Sequence, residues 1–380
     1  MSIWTLRVLA GLCLFASVLA AQLPASRPVI RVSQPNPTQD KPQSKLWFAQ
    51  GSWWAWLADR GGSGIWRRTA AGWQRDTELD GILRGLPGQA DVWADGDTVR
   101  AVLVESRRLA VLGLRFEAKS GRYRPTGAAA EFDAGPGLET ATITRDGQGH
   151  WWIAYAQGRQ MWVRASRDRA GKVWTQPIPV SQEPASDDDI CAITAVKGGV
   201  AVLWSNQSTE TVYFRRHDDR AKPEDWADPE VVDRGNRTAD DHLNTAVARD
   251  GTLYLATKNS VDRIGHTQLV LHIRDPRGGW KSHPYAPRTG LAEPSRPIVL
   301  LGGDPERYFL LHTMYDRRQG QPPQSWIARQ PGLEKEAQPL ISAGTRINNV
   351  TGCKERLPEG APWIVLASDY EGNVYEARLD

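Results

Sequence analysis

One pattern recurs along the chain and limits what it can fold into: a carboxylate, ten residues on a glycine, then a short apolar strand closed by an amide. It joins Glu139 to Gly149, Asp189 to Gly199 and Asp241 to Gly251, and the strands that follow end in Gln157, Gln207 and Asn259. The fullest copy, TADDHLNTAVARDGTLYLATKNS at 238–260, sets an acidic cluster before one strand and a tight Asp250-Gly251 turn before a second. Self-similarity near fifty residues means that each unit buries its apolar surface against a neighbouring copy, and four short strands per unit make a ring of blades. With Lys45, Asp91, Glu139, Asp189, Asp241, Arg296 and Asn349 as anchors, successive spacings are 46, 48, 50, 52, 55 and 53. Seven units is the simplest count. The expected fold is therefore all-β, a single-domain β-propeller of seven four-stranded antiparallel blades, with six blades as the alternative.

The first repeat reads KLWFAQ, WWAWLADR, GIWRRTA, GWQRDTEL, with turns at Gly51, Gly61-Gly62 and Gly72. The second covers roughly 91–126, and the others start near Glu139, Asp188, Asp240, Ser295 and Arg346. The last shows only three strands, INNVTGC, WIVLASD and NVYEARL. A blade left at three strands exposes an edge that invites mispairing. The one strand-like stretch near the N-terminus, VIRVS at 29–33, is expected to supply the missing outer strand and close the ring.

The first 21 residues carry an early arginine, an apolar run over 8–19 and the small pair Ala20-Ala21, which is the pattern of a secretory signal peptide. The expected organisation is a signal peptide at 1–21, an N-terminal segment at 22–44 with the ring-closing strand, and the propeller at 45–380. Export to the periplasm or the extracellular space follows, with no membrane association after cleavage and a monomer as the expected state. Net charge is only +3, with both signs interspersed, so nothing resembles a nucleic-acid footprint. Past the signal peptide two cysteines remain, Cys191 and Cys353, expected as free buried thiols in the inner strands of different blades. Seventeen tryptophans against six phenylalanines suit both blade cores and sugar stacking.

Strands one and two of a blade run antiparallel, so the start of the first and the end of the second lie at one face of the ring. That rule gathers Lys45, Asp91, Glu139, Asp188, Asp189, Asp240, Asp241, His242, Asn244, Arg296, Asn348, Asn349 and Lys354 from inner strands. Second strands add Gln157, Asn206, Gln207, Lys258, Asn259, His312, Tyr315, Asp369 and Tyr370. Converging polar groups beside aromatics are the form of a ligand pocket. Some of the aspartates also suit turns, where their side chains bond local backbone. Turn preference does not explain Glu139, Arg296, Lys258 and His242 at matching ends.

Crowded carboxylates push one another's pKa apart, so one of Asp189, Asp241 and Glu139 could serve as a general acid and another as base or nucleophile of a glycosidase. Alternatively Lys258, Arg296 or Lys354 neutralises a uronate carboxylate while His242 or Tyr315 removes the C5 proton, which is lyase chemistry. The wider set Lys45, Asp188, Asp240, Asn244, Asn206, Gln207, Asn348 and Asn349 would hold the ligand. No cofactor is required; calcium at Asp187, Asp188 and Asp189 is a further use that the oxygen ligands allow, without an EF-hand spacing. The partner expected is a glycan or polysaccharide, an acidic one in particular, and a propeller that only binds carbohydrate or protein is the alternative.

Between the third and fourth strands of the third blade stands SRDRAGKVW at 166–174, echoed by IRDPRGGW at 273–280. The first resembles the Asp-box turn of sialidase-type (BNR) propellers, with one extra residue before Gly171; the resemblance implies that Asp168 caps amides and Trp174 packs between sheets. In order, KPQSKLW, SDDDICAI, WSNQ, ADDHLN, SRPIVLL, INN and IVLASD look like a group of exported bacterial sialidase-like propellers of largely unknown function. The resemblance covers essentially all of the chain beyond the signal peptide and implies a secreted propeller with carbohydrate as ligand class. A sialidase proper needs an arginine triad, a tyrosine nucleophile with a glutamate partner, and an aspartate acid. The Phe-Arg-Ile-Pro entrance is missing here and only Arg296, before a proline, matches part of the set, so sialidase activity itself is not expected.

Overall fold

The computed structural model describes residues 25–235, 237–261, 263–318 and 324–379. The proposed signal peptide lies outside them. The described strands form seven sheets arranged as a seven-bladed propeller, with strands named a to d from the axis outward. Blade 1 comprises Leu46–Ala49, Ser52–Asp59, Gly62–Thr69 and Gly72–Arg75. Blade 3 comprises Ala141–Arg145, Trp151–Gln157, Gln160–Ala165 and Ile178–Pro179, and blade 4 Cys191–Val196, Gly199–Asn206, Thr211–Asp218 and Glu230–Arg234. Leu243–Val247, Leu253–Lys258, Thr267–Arg274 and Trp280–Pro287 make blade 5; Ala292–Gly302, Arg307–Asp316, Ser325–Gln330 and Gln338–Ile341 make blade 6.

Two blades depart from the simple repeat. In blade 2, strands Gln89–Asp95, Thr98–Glu105 and Arg108–Glu117 are followed by two short strands, Arg122–Pro125 and Ala130–Asp133, that share the outer edge of strand c end to end. The sequence reading stopped at the first of these. Blade 7 takes Ile347–Thr351, Ile364–Asp369 and Asn373–Arg378 from the C-terminus and Pro28–Arg31 as its outer strand, antiparallel to Asn373–Arg378 with Ile30 opposite Val374. The first and last described strands thus pair within one sheet and close the ring.

Each blade is sandwiched between two others, so its middle strands bury both faces and lose the alternation of a half-exposed strand. In blade 1, Trp53 packs into the core shared with blade 7, while Trp54 and Trp56 pack into the core shared with blade 2. Burying one such side chain contributes about 1.5–3 kcal/mol or more. Side chains of inner strands also tie blades together around the axis. Asp91 Oδ2 accepts from the Ile143 amide (2.7 Å), Thr142 Oγ1 from Ile193 (2.9 Å), Asn244 Oδ1 from Val299 (3.0 Å) and Thr351 Oγ1 from Lys45 (3.1 Å).

In the turn at 166–174, the Asp168 carboxylate accepts from the amides of Lys172 and Val173, and Trp174 meets Phe132 of blade 2 edge-on with centroids 5.8 Å apart. Cys191 and Cys353 are buried free thiols, and burial pushes both well above the usual thiol range. Cys191 lies in strand a of blade 4; Cys353 falls just past strand a of blade 7 rather than inside it. No helix among the described residues is long and apolar enough to cross a membrane.

Candidate functional site

The segment between the ring-closing strand and blade 1 does not skirt the ring; it crosses the anchor face. Its backbone and side chains bond blade 7 (Asn36 amide to Asp369 carbonyl, 2.9 Å; Thr38 hydroxyl to Ser368 hydroxyl, 2.6 Å) and blade 3 (Gln43 Nε2 to Ala141 carbonyl, 2.9 Å). It also meets blade 5, where Asn244 Nδ2 donates to the Pro42 carbonyl (3.3 Å), and blade 2, where the Ser44 amide donates to Asp91 Oδ1 (2.8 Å). The segment therefore lies across the axis, and beside Lys41, Pro42 and Arg296 it leaves a gap of about 10 Å³, room for roughly one water.

This crossing rearranges the expected ligand set. Lys45, fully buried, donates to Gln43 Oε1 (2.7 Å) and to the Ala90 carbonyl, and burial lowers its ammonium to about 7. Lys354 pairs with buried Asp91 and donates to the Ile143 carbonyl (2.8 Å). These two of the three lysines expected at the ligand are turned inward, as structural ties. Asn244 likewise joins Pro42 to Val299. Glu355, beside Lys354, is pushed up to about 8 by burial.

Blade 4 keeps its polar groups for itself. The Asp189 carboxylate accepts from the Ser186 amide (2.6 Å), Ser205 hydroxyl (2.9 Å), Gln207 amide (3.1 Å) and Gln207 Nε2 (3.2 Å). Gln207 Nε2 also reaches Asp188 (2.9 Å), and Asn206 caps the short turn after strand b by accepting from the Thr209 amide. Burial raises the Asp189 pKa despite these donors. The geometry makes Asp189 a cap of its loop, and Asp187 is 94 % exposed.

Blades 5, 6 and 7 hold a connected cluster. His242 Nδ1 stands 2.8 Å from Asp240 Oδ1 and 2.5 Å from Asp241 Oδ1. Asp240 also takes Lys258 Nζ (2.7 Å) and the Ser260 hydroxyl (3.0 Å). Asp241 meets Lys41, whose ammonium reaches Glu139 of blade 3 at 3.1 Å. Burial would raise Asp241, but hydrogen bonds from this cluster, chiefly His242, and the Lys41 charge hold it well below the carboxylate range. Burial would lower Lys41, yet Asp241, Glu139 and Asp40 keep it above its ordinary value; burial raises Glu139 in spite of Lys41.

On its other side, His242 Nε2 lies 3.5 Å from Ser295 Oγ, to which Arg296 Nη1 also donates at 3.4 Å. Arg296 donates to the Tyr315 hydroxyl, and Tyr315 donates to Asn348 Oδ1 (3.0 Å), whose Nδ2 donates to the Tyr370 hydroxyl (3.2 Å). Arg296 and Asn349 sit at φ +52° and +47°, each inside an irregularity of its inner strand, Ser295/Ile298 and Asn348/Thr351. Such bulges re-aim side chains. Three guanidiniums, Arg296, Arg317 and Arg346, lie 5.7, 5.7 and 5.8 Å from the Tyr315 ring centre, and Arg346 also covers Tyr370 at 5.0 Å. Arg317 is paired with Glu293, whereas no carboxylate among the described residues pairs with Arg296 or Arg346. Burial raises the Tyr315 hydroxyl although Arg296 lowers it.

The site thus joins Asp240, Asp241, His242, Lys258, Glu139, Arg296, Tyr315 and Asn348 of the expected residues. The sequence pattern does not single out Lys41, Ser295, Arg317 or Arg346 as site residues, and of these only Ser295 and Arg346 have a signal, their places at the start of the last two repeats. His312 leaves the mouth for the flank of blade 6. Among the described residues Asp240, Asp241 and His242 bring three ligand atoms within 4.8 Å of one another, with Lys41 already set against Asp241.

Comparison with known proteins adds the fold. No family model matches the sequence, and no curated protein matches it. Among solved structures, the polysaccharide lyase Uly1 aligns with a TM-score of 0.50 at 9 % identity, over 89 % of this chain and 90 % of that one. An α-L-arabinanase of Penicillium chrysogenum, complexed with arabinobiose, aligns at 0.49 and 13 % identity over 81 % and 99 %. A protein of unknown function from Dyadobacter fermentans aligns at 0.48 and 11 % identity over 94 % and 98 %. At 9 % identity the likeness to Uly1 speaks for the propeller fold alone and leaves the reaction to the site.

Proposed function

We propose that this is an exported, carbohydrate-active propeller that cleaves an acidic polysaccharide by β-elimination at the mouth of blades 5 to 7. The observation that carries the reading is the row His242 Nε2, Ser295 Oγ, Arg296 Nη1 and the Tyr315 hydroxyl, in which a carboxylate-held imidazole and a carboxylate-free guanidinium flank one hydroxyl. Arg296 and Arg346 would take the uronate carboxylate, a planar anion that suits a guanidinium fork. Neutralising that carboxylate acidifies the C5 proton. His242, oriented through Nδ1 by Asp240 and Asp241, takes the proton at Nε2; the C5–H electrons form the C4=C5 double bond, the C4–O bond breaks, and the Tyr315 hydroxyl protonates the leaving oxygen. Hydrolysis by two carboxylates has less support, because Asp189 is committed to its loop and Asp241 shares Lys41 with Glu139. The fold-level likeness to a polysaccharide lyase agrees with the choice without deciding it.

Incubating the protein from residue 22 onward with acidic and neutral polysaccharides, and reading both reducing ends and the ultraviolet absorbance of unsaturated uronates, tests the assignment. Unsaturated product from a uronate polymer is the expected result. Reducing ends without it would make the protein a hydrolase, and retention on immobilised glycan without turnover would make it a binding propeller.

A further inference from the structure

The face opposite the mouth carries the turns between strands a and b and between strands c and d, and at the junction of blades 4 and 5 these turns border a cleft of about 210 Å³. Its walls supply four cationic side chains, Lys197, Arg216, Arg274 and Arg277, and, among the described residues, no carboxylate. The charges are open to solvent: Lys197 is exposed, and the side chains of Arg216 and Arg277 are 40 % and 90 % exposed. Local structure holds the three arginines in place. Arg277 belongs to IRDPRGGW, the weaker copy of the Asp-box turn, where Asp275 accepts from its amide (2.8 Å) and from its Nε (3.0 Å). Arg274 lies over the Phe214 ring at 4.7 Å and donates from Nε and Nη2 to Glu230 of blade 4. Arg216 Nη2 donates to the carbonyls of Lys197 and Gly198 (3.1 and 3.2 Å), with Asp218 3.6 Å away. Among the described residues, Nη1 of all three guanidiniums and the Lys197 ammonium are left without a hydrogen-bond partner. In the matching turns at the junction of blades 3 and 4, Asp219 instead reaches across to the Gly147 amide (3.3 Å). In blade 5 the acid of the turn is folded back on Arg277, and the lining is cationic.

We propose that this cleft binds a tetrahedral oxyanion, a sulfate or phosphate group, as an anion site separate from the mouth. A cleft lined by one sign of charge concentrates ions of the other sign. Donors on four separate side chains suit oxygens that point in several directions. A planar carboxylate is met by one guanidinium fork, the arrangement already made between Arg274 and Glu230. The oxyanion can be a free ion or an ester group on a polymer.

Calorimetric titration at low ionic strength, where surface charges are least screened, tests the site with inorganic sulfate, inorganic phosphate, dextran sulfate and uncharged dextran. At least one of the three anionic probes binds saturably, and dextran does not. Lys197→Gln/Arg277→Gln, at two exposed positions, weakens that binding at least about 10-fold, from the loss of two charged donors in a solvent-open site. Lys119→Gln/Lys172→Gln removes the same charge from exposed positions of blades 2 and 3 and changes it less than about twofold. Either source supports the proposal: inorganic ions that bind alone make it a free-ion site, and dextran sulfate that inorganic sulfate fails to displace makes it a polymer site. The proposal is overturned if no anionic probe binds, if dextran binds as well as dextran sulfate, if the two double variants weaken binding alike, or if Lys197→Gln/Arg277→Gln leaves it intact. In that last case loss of binding in Arg346→Gln would place the anion at the mouth.

Discussion

Blades 4 and 5 carry an aspartate pair at the same place, just before strand a, and use it in opposite ways. Asp188 and Asp189 turn back onto their own loop: Ser186, Ser205 and Gln207 satisfy them within about twenty residues of chain. Asp240 and Asp241 bond a histidine, Lys258 and, from 200 residues away, Lys41. The difference lies in the partners. A carboxylate surrounded by amides and hydroxyls of its own turn is a structural cap, and burial lifts its pKa. One that faces a lysine and an imidazole stays ionised and can orient a base.

Variants at matched positions break or sharpen this contrast. The largest effect falls on His242→Ala, which lowers turnover on a uronate polymer about 10²–10⁴-fold, the range for losing a general base, while Asp189→Asn changes turnover less than about twofold; steady-state rates of the two variants check it. Next comes Lys41→Met, which leaves Asp241 and Glu139 facing each other without their cation. Removing one partner of a buried pair costs about 3–5 kcal/mol, and Glu139, one-third exposed, brings the expectation to about 2–4 kcal/mol by denaturant unfolding. Asp189→Asn follows at about 1–3 kcal/mol, from amide donors left without a full acceptor. Asp188→Asn, at an exposed position, stays within about 0.5 kcal/mol.

The pH dependence separates the two blades by sign. Asp241, depressed in the fold, contributes stability that is present above the ordinary carboxylate value of about 4 and is lost as pH falls through its folded value. Asp189, raised in the fold, contributes stability that is fully present below about 4 and is lost as pH rises through its folded value. Unfolding free energies across a pH series should therefore show the gap between wild type and Asp241→Asn narrowing in acid, and the gap to Asp189→Asn widening. Gaps that move together would erase the distinction.

Turn glycines, apolar runs and the near-fifty period made the blades legible, because those signals are local and each repeat restates them. The missing outer strand of blade 7 was legible through the count of strands, and Pro28–Arg31 fills it. The doubled edge of blade 2 was not, since Ala130–Asp133 is too short to stand out from a loop. At the site, strand polarity placed His242, Lys258, Arg296 and Tyr315 at one face, but it also placed Asp189, Lys45 and Lys354 there. Nothing in a turn's composition says whether its aspartate will find local amides or a distant lysine. Lys41 reaches Asp241 only through the crossing segment, a contact across 200 positions that no local pattern encodes, and the arginines gather on Tyr315 through the packing of blades 6 and 7.

The central claim is that the blade 5 to 7 mouth removes a proton from C5 of a uronate. Turnover of a uronate oligosaccharide deuterated at C5 tests it most directly. The account predicts slower cleavage than with the protiated substrate, an unsaturated product that has lost the deuterium, and loss of both signals in His242→Ala. Cleavage to new reducing ends with the deuterium retained at C5 would contradict it.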